Sequence, residues 1–263
     1  MKTLSNPFKE ALADNRVQYG YWMALASPYT AEICATAGFD WLLIDGEHGP
    51  NDIHSILAQL QAVAAYPSQP VVRPVEGSAA SIKQLLDIGA HNLLIPMVET
   101  AEQARQLVNA TRYPPAGSRG VGAAIARSSR WLAIDNYDHR IENQICLLLQ
   151  IESRAGLENL DQILEVEGYD GIFIGPSDLA ASLDQIGNTR HPDVQSAIGA
   201  AIAKIRRANK AVGILSTEDD MIQSYLEMGA VFIAIGVDTI ALAGSTRALA
   251  SQYQHMDSVR ART

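Results

Sequence analysis

The sequence predicts a (β/α)8 TIM barrel folded as a single domain over residues 1–263, and three observations carry that prediction. One phrase recurs four times: a helix-like pattern, a glycine, then a short apolar run. It reads ATAGFDWLLID, LDIGAHNLLIPMV, VEGYDGIFIGP and LEMGAVFIAIGVD. The apolar runs are continuous and rich in Ile, Leu and Val, as strands are when helices cover a parallel sheet or ring a barrel. The other segments complete eight strand–helix alternations in roughly 250 residues, the count of this fold.

Strands are expected at about 17–25, 40–46, 70–74, 92–98, 145–152, 171–176, 211–216 and 231–237. Residues 51–65 space Ile53, Ile56, Leu57, Leu60 and Ala64 by three and four, the signature of a helix with one apolar face. Residues 78–88 repeat it with Ile82, Leu85 and Leu86, Ser78 serving as N-cap and Gly89 as stop. Thr217 with Asp220 suggests a capping box ahead of Met221, Ile222 and Leu226. Residues 99–144 break the rhythm. They begin as a helix, but YPPAGSRGVGAAIARSSRW is too rich in Gly and Pro to continue one, and a long loop over the barrel mouth is expected. DTIALAGSTRALASQYQ reads as a last amphipathic helix with a loose tail after about residue 252. An open doubly wound sheet would use similar units, usually fewer, but no G-x-G-x-x-G follows the first strand and no Walker A sequence occurs.

The formal charge of -9 and the lack of any Lys/Arg cluster exclude a nucleic-acid surface. No apolar run is long enough for a membrane span, and the N-terminus has no secretory apolar core, so a cytoplasmic protein is expected. Cys34 and Cys146 sit far apart among apolar residues and read as small hydrophobes in a reducing compartment.

In a barrel, chemistry gathers at the C-terminal ends of the strands. Here those ends carry Asp45, Glu47 and His48 (strand 2), Arg73 (strand 3), Gln150 and Glu152 (strand 5), Ser177 and Asp178 (strand 6) and Asp238 (strand 8). Taken singly, Asp178 or Asp238 is as readily a helix cap, Arg73 an ion-pair partner and His48 a turn residue. Together they supply carboxylates, a base and a cation at one face. Glu152 and Asp178 lie one βα unit apart, and two carboxylates with open positions suit a hard divalent ion, Mg²⁺ or Mn²⁺, with Co²⁺ a further candidate. A 2-oxo acid could chelate such an ion, Arg73 would stabilise a developing oxyanion, and His48 held by Asp45 would serve as general acid–base. An imine mechanism needs a lysine on a strand, and Lys2, Lys9, Lys83, Lys204 and Lys210 all fall outside the expected strands.

Several long motifs agree with one family. GFDWLLIDGEHGPN, YPSQPVVRP, TRYPPAGSRGVG, LLQIES, VEGYDGIFIGPSDLAASL and GAVFIAIGVDTIALA resemble the HpcH/HpaI aldolases over roughly residues 5–252. The resemblance implies a metal-dependent pyruvate aldolase that reversibly splits 4-hydroxy-2-oxo acids. The most similar branch forms pyruvate and succinate semialdehyde from 4-hydroxy-2-oxoheptanedioate during aromatic-acid degradation, and sister enzymes act on 2-keto-3-deoxy sugar acids. It implies metal ligands Glu152 and Asp178, proton transfer by His48 oriented by Asp45, and enolate stabilisation by Arg73. Gln150, Gly175, Pro176, Ser177 and Asp178 would contact the bound acid. It further implies a homohexamer, a trimer of dimers, with the C-terminal helix exchanged between subunits. Ser177 stands where the family often has Ala, as does Gly49, which leaves the aldehyde preference open. An acyl-CoA lyase would need a basic patch for the CoA phosphates, and a non-catalytic barrel would show gaps among the strand-end groups; neither feature is present.

Overall fold

The computed structural model describes residues 4–260, with side chains through residue 254. Eight parallel strands close into a barrel in sequence order, β8 pairing with β1. They are β1 (Gln18–Met23), β2 (Trp41–Asp45), β3 (Gln69–Arg73), β4 (Asn92–Ile95), β5 (Cys146–Ile151), β6 (Gly171–Ile174), β7 (Ala211–Leu215) and β8 (Phe232–Val237). The recurring glycine has a conformational cause. Gly38, Gly89, Gly168 and Gly229 all have φ between +91° and +105°, a backbone that L side chains rarely adopt, so each stops a helix and turns the chain into the next strand.

Two apolar layers follow from the two-residue period of a strand. Along β2, Leu42 and Ile44 pack outward with Ile56, Leu60 and Ile82 of the helical ring. Trp41 and Leu43 point inward with Val71, Leu148, Phe173 and Phe232, and Phe8 of the N-terminal helix Pro7–Ala13 joins them. Trp41, Phe173 and Phe232 fill the interior only because some neighbours have no side chain: a Cβ at Gly213 would stand 2.1 Å from the Phe232 ring. The inward phase also determines where the polar strand ends point. Asp45 continues the Trp41–Leu43 series, Arg73 follows Val71, and Gln150 and Glu152 follow Cys146 and Leu148, so all four enter the barrel mouth.

Most expected elements hold, with local differences. Asp52 and Ser55 form a capping box on helix Ile53–Val63, and Ser78 caps helix Ala79–Asp87. β4 stops at Ile95 because Pro96 has no N–H for the ladder and Met97 turns into the left-handed region, φ 51°. The Thr217–Asp220 box does not form. Helix Asp219–Met228 starts after Glu218 without a side-chain cap, since Arg190 takes the Asp220 carboxylate at 2.7 and 2.9 Å. The last helix runs from Asp238 to Arg260, past residue 252 where a loose tail is expected. Both cysteines are free, Cys146 buried and Cys34 half-buried.

The long connection also departs from expectation. Helix Ala101–Thr111 returns the chain to the N-terminal end of the barrel, and residues 112–145 stay there. Arg119 pairs with Asp87 at the end of helix Ala79–Asp87, Arg127 donates to the Ile88 carbonyl at 2.7 Å, and the Cys146 amide reaches His91 at 2.8 Å. This segment therefore lies opposite the mouth and is no lid over its own chain's strand ends.

Candidate active site

β2 and β3 pair in a register that sets Asp45 beside Arg73. The two side chains, both nearly fully buried, meet as a fork: Arg73 Nε donates to Asp45 Oδ1 at 2.9 Å and Nη2 to Oδ2 at 2.7 Å. The Trp22 indole N–H donates to Asp45 Oδ2 at 3.0 Å, and its ring lies 4.8 Å from the guanidinium carbon. Burial alone would raise the Asp45 carboxyl, but the bonds and charge of Arg73, with help from Trp22 and the Glu47 amide, hold it below its ordinary value.

Asp45 therefore does not orient His48 as expected. Its oxygens are taken by Arg73 and Trp22, and it reaches His48 only through the backbone amide, at 3.4 Å. The exposed imidazole instead has Nε2 3.9 Å from Glu47 Oε2. Glu47 also faces Arg73, whose Nη1 lies 2.7 Å from Oε2, an ion contact not directed as a hydrogen bond. Burial raises the Glu47 carboxyl against the pull of Arg73 and His48, and Asp45 and Asp178 add to the rise.

Across the mouth, β5 and β6 align Ile151 with Ile174, so Glu152 passes Gly175. Glu152 is buried. Its Oε1 accepts from the Met97 amide at 2.8 Å, and its Oε2 accepts from Gln150 Nε2. Burial pushes its carboxyl up to about 7; the Met97 amide and Gln150 oppose this, while Glu47 and Asp178 add to it. Gln150 spends its nitrogen on Glu152, so only Oε1, which has no partner, is left for a ligand. Pro176 opens the short helix Pro176–Ser182, placing Ser177 and Asp178 exposed on its first turn. A cavity of about 310 Å³ adjoins the site, lined in part by Glu47, Val75, Glu76, Met97, Gln103 and Gln106.

The expected site residues thus gather at one face, with Trp22, Glu47 and the Met97 amide as further participants. Glu47 was visible among the strand-end charges. Trp22 carried only its place near the end of β1, and no sequence pattern signals a backbone amide. Asp238 proves structural: its carboxylate accepts from the Ala24, Leu25 and Thr239 amides, tying the end of β1 to the last helix.

A family model described as HpcH/HpaI aldolase/citrate lyase matches residues 18–244. The chain belongs to the HpcH/HpaI family. Within it, the chain is 61% identical to a hydroxypyruvate/pyruvate aldolase of Deinococcus radiodurans, covering 95% of this chain and 91% of that one. It is 60% identical to a 2-keto-3-deoxy-L-rhamnonate aldolase of Escherichia coli, covering 90% and 89%. It is 56% identical to a 4-hydroxy-2-oxo-heptane-1,7-dioate aldolase of Klebsiella pneumoniae, covering 96% and 95%. An HpcH/HpaI crystal structure from Burkholderia cenocepacia superposes with a TM-score of 0.91 at 36% identity, covering 95% of this chain and all of that one.

The donor set fits a divalent cation. The charges of Glu47 and Asp178 both raise the proton affinity of Glu152, that of Asp178 also raises Glu47, and Gln150 Oε1 is a buried acceptor without a donor. Among the described residues no three His, Cys, Asp or Glu side chains form a closed metal cage. A cation held here would rest on two carboxylates and take its other ligands from water and substrate oxygens, as Mg²⁺ commonly does.

Proposed function

We propose that the chain is a divalent-metal-dependent pyruvate aldolase acting on 4-hydroxy-2-oxo acids, with 4-hydroxy-2-oxoheptanedioate as substrate and pyruvate and succinate semialdehyde as products. The observation that carries this reading is Glu152, a buried strand-end carboxylate with Asp178 and Glu47 in electrostatic range, facing a mouth that also holds Arg73. Glu152 and Asp178 would hold the ion. When bound, Mg²⁺, Mn²⁺ or Co²⁺ supplies Lewis acidity that withdraws charge from the 2-oxo acid.

The protein's own groups then have distinct tasks. Gln150 Oε1, Ser177 and the backbone at Gly175 and Pro176 orient the acid. His48, exposed and beside Glu47, takes the proton from the C4 hydroxyl, directly or through water. The C3–C4 pair moves toward C2 as the aldehyde leaves, and Arg73 faces the negative charge that develops on the C2 oxygen. A proton returned to C3 completes pyruvate. Asp45 and Trp22 fix the guanidinium before the charge appears, so no reorganisation is needed in the transition state. The products would be formed during aromatic-acid degradation, and the assembly would be a homohexamer in the cytoplasm.

A second reading has its own observation. The cavity beside Glu47 includes Glu76 and no Lys or Arg among its lining residues, a poor partner for the carboxylate of succinate semialdehyde. A neutral hydroxyaldehyde, as released from a 2-keto-3-deoxy sugar acid, suits it better. One assay tests both. Metal-stripped protein is given 4-hydroxy-2-oxoheptanedioate or a 2-keto-3-deoxy sugar acid, with Mg²⁺, Mn²⁺ or Co²⁺ added back, and pyruvate is followed by coupled lactate dehydrogenase. Metal-restored release is expected; full activity after exhaustive chelation would overturn the mechanism.

A further inference from the structure

β4 and β5 pair as far as Ile95 and Leu149, and beyond that rung the β4 backbone changes partners. Pro96 has no N–H to offer. Met97 stands at φ 51°, in the left-handed region that a methionine rarely occupies, and its N–H leaves the ladder for Glu152 Oε1 at 2.8 Å. Val98 then rejoins β5, donating to the Gln150 carbonyl at 3.0 Å. A backbone in so sparsely populated a conformation persists where its surroundings enforce it, and such positions gather at functional sites.

Two contacts of Glu99 supply that enforcement. Its Oε1 accepts from Ser153 Oγ at 2.6 Å, and its carbonyl accepts from Asn159 Nδ2 at 2.8 Å. Ser153 directly follows Glu152, so the turn is fastened to the same stretch of chain whose carboxylate it binds. Gly156 closes the turn from another side: a Cβ there would stand 3.0 Å from the Val98 carbonyl oxygen. The Glu99 carboxylate is not spent on capping helix Ala101–Thr111. Thr100 accepts from the Gln103 amide, and Gln103 Oε1 accepts from the Thr100 and Glu99 amides.

We propose that Glu99 is a positioning residue, which together with Asn159 latches the turn after β4 so that the Met97 amide stays aimed at Glu152. The proposal rests on the reading of Glu152 as a ligand of the divalent ion. Without the latch, Met97 relaxes toward an ordinary backbone conformation and its N–H is redirected. Glu152 then keeps Gln150 but loses the donor that fixes Oε1. Donors behind a metal-binding carboxylate hold its orientation, and their loss commonly weakens the metal about 10-fold or more. Glu99 acts through Met97 and touches neither ion nor substrate in this role.

Metal-stripped full-length protein is compared as wild type, Glu99→Ala, Glu99→Gln and Asn159→Ala. Glutamine keeps an oxygen that can accept from Ser153 Oγ but removes the charge, so it separates the latch from electrostatics. Hydrogen–deuterium exchange of the segment 96–100, read by mass spectrometry without metal, should be about 10-fold faster in Glu99→Ala and near wild type in Glu99→Gln. Isothermal titration should show Mn²⁺ bound about 10-fold more weakly by Glu99→Ala and restored in Glu99→Gln. Asn159→Ala removes the other tie, should match Glu99→Ala, and guards against a folding failure of that variant, which thermal melting detects. Unchanged exchange in both alanine variants would overturn the latch. Faster exchange with unchanged Mn²⁺ affinity would refute its link to the metal ligand. A wild type that binds no Mn²⁺ would instead sink the metal reading of Glu152, while the exchange rates still decide the latch.

Discussion

Gly175 lies where no side chain fits: a Cβ there would stand 2.4 Å from Glu152 Oε2, 2.8 Å from its Cβ and 2.9 Å from Gln150 Nε2. Its φ of −91° is open to any residue, so the requirement is space and not backbone freedom. Gly175→Ala should displace Glu152 and lower turnover about 100-fold, as misplacing a catalytic group does. The overlap should lower stability by about 1–3 kcal/mol. Steady-state pyruvate release and thermal melting measure the two effects, and wild-type kinetics in this variant would refute the steric assignment.

Arg73→Lys should be far from conservative. A lysine keeps one charge but cannot span Asp45 with a two-bond fork and contact Glu47 as well. Turnover should fall about 10²-fold or more, the scale of removing one oxyanion donor. Arg73→Ala, which strands buried Asp45 and half-buried Glu47, should also lose about 3–5 kcal/mol of stability in urea unfolding.

Glu152 predicts a pH dependence in metal-free protein. Its carboxyl is raised from 4.5 to about 7 in the fold, so the native state binds the proton more tightly than the unfolded chain. Between those values the native state holds more protons, and stability falls as pH rises. The penalty is absent below about pH 4.5, complete above about pH 7, and on the order of 3 kcal/mol. With EDTA present, melting temperature should decline from pH 5 to pH 7.5, and Glu152→Gln should flatten that decline. A divalent ion should stabilise most at the upper end, where it no longer competes with a proton.

His48→Asn and Asp238→Ala should separate chemistry from scaffold. His48→Asn should lower turnover about 10²-fold or more while leaving melting temperature and divalent-ion affinity near wild type, since the ring is exposed and makes no structural bond. Asp238→Ala leaves the Ala24 and Leu25 amides without acceptors and should cost about 1–3 kcal/mol of stability. Isothermal titration with Mn²⁺ and calorimetric melting distinguish the two patterns.

The sequence by itself determined the barrel. Glycine stops, apolar runs and helical spacing are local properties, each acting over a few residues, and eight consistent repeats leave little room for another closure. It also determined which residues reach the mouth, because a two-residue period carries Asp45, Arg73, Gln150 and Glu152 inward once the apolar phase of each strand is known. Only the tertiary structure decided how those groups pair. Asp45 binds Arg73 because strand register puts them side by side, and that leaves His48 to Glu47, though all three acids and bases are neighbours in the chain. The same holds for residues 112–145. Their composition says loop, but a helix that runs antiparallel to its strand delivers them to the end of the barrel away from the site.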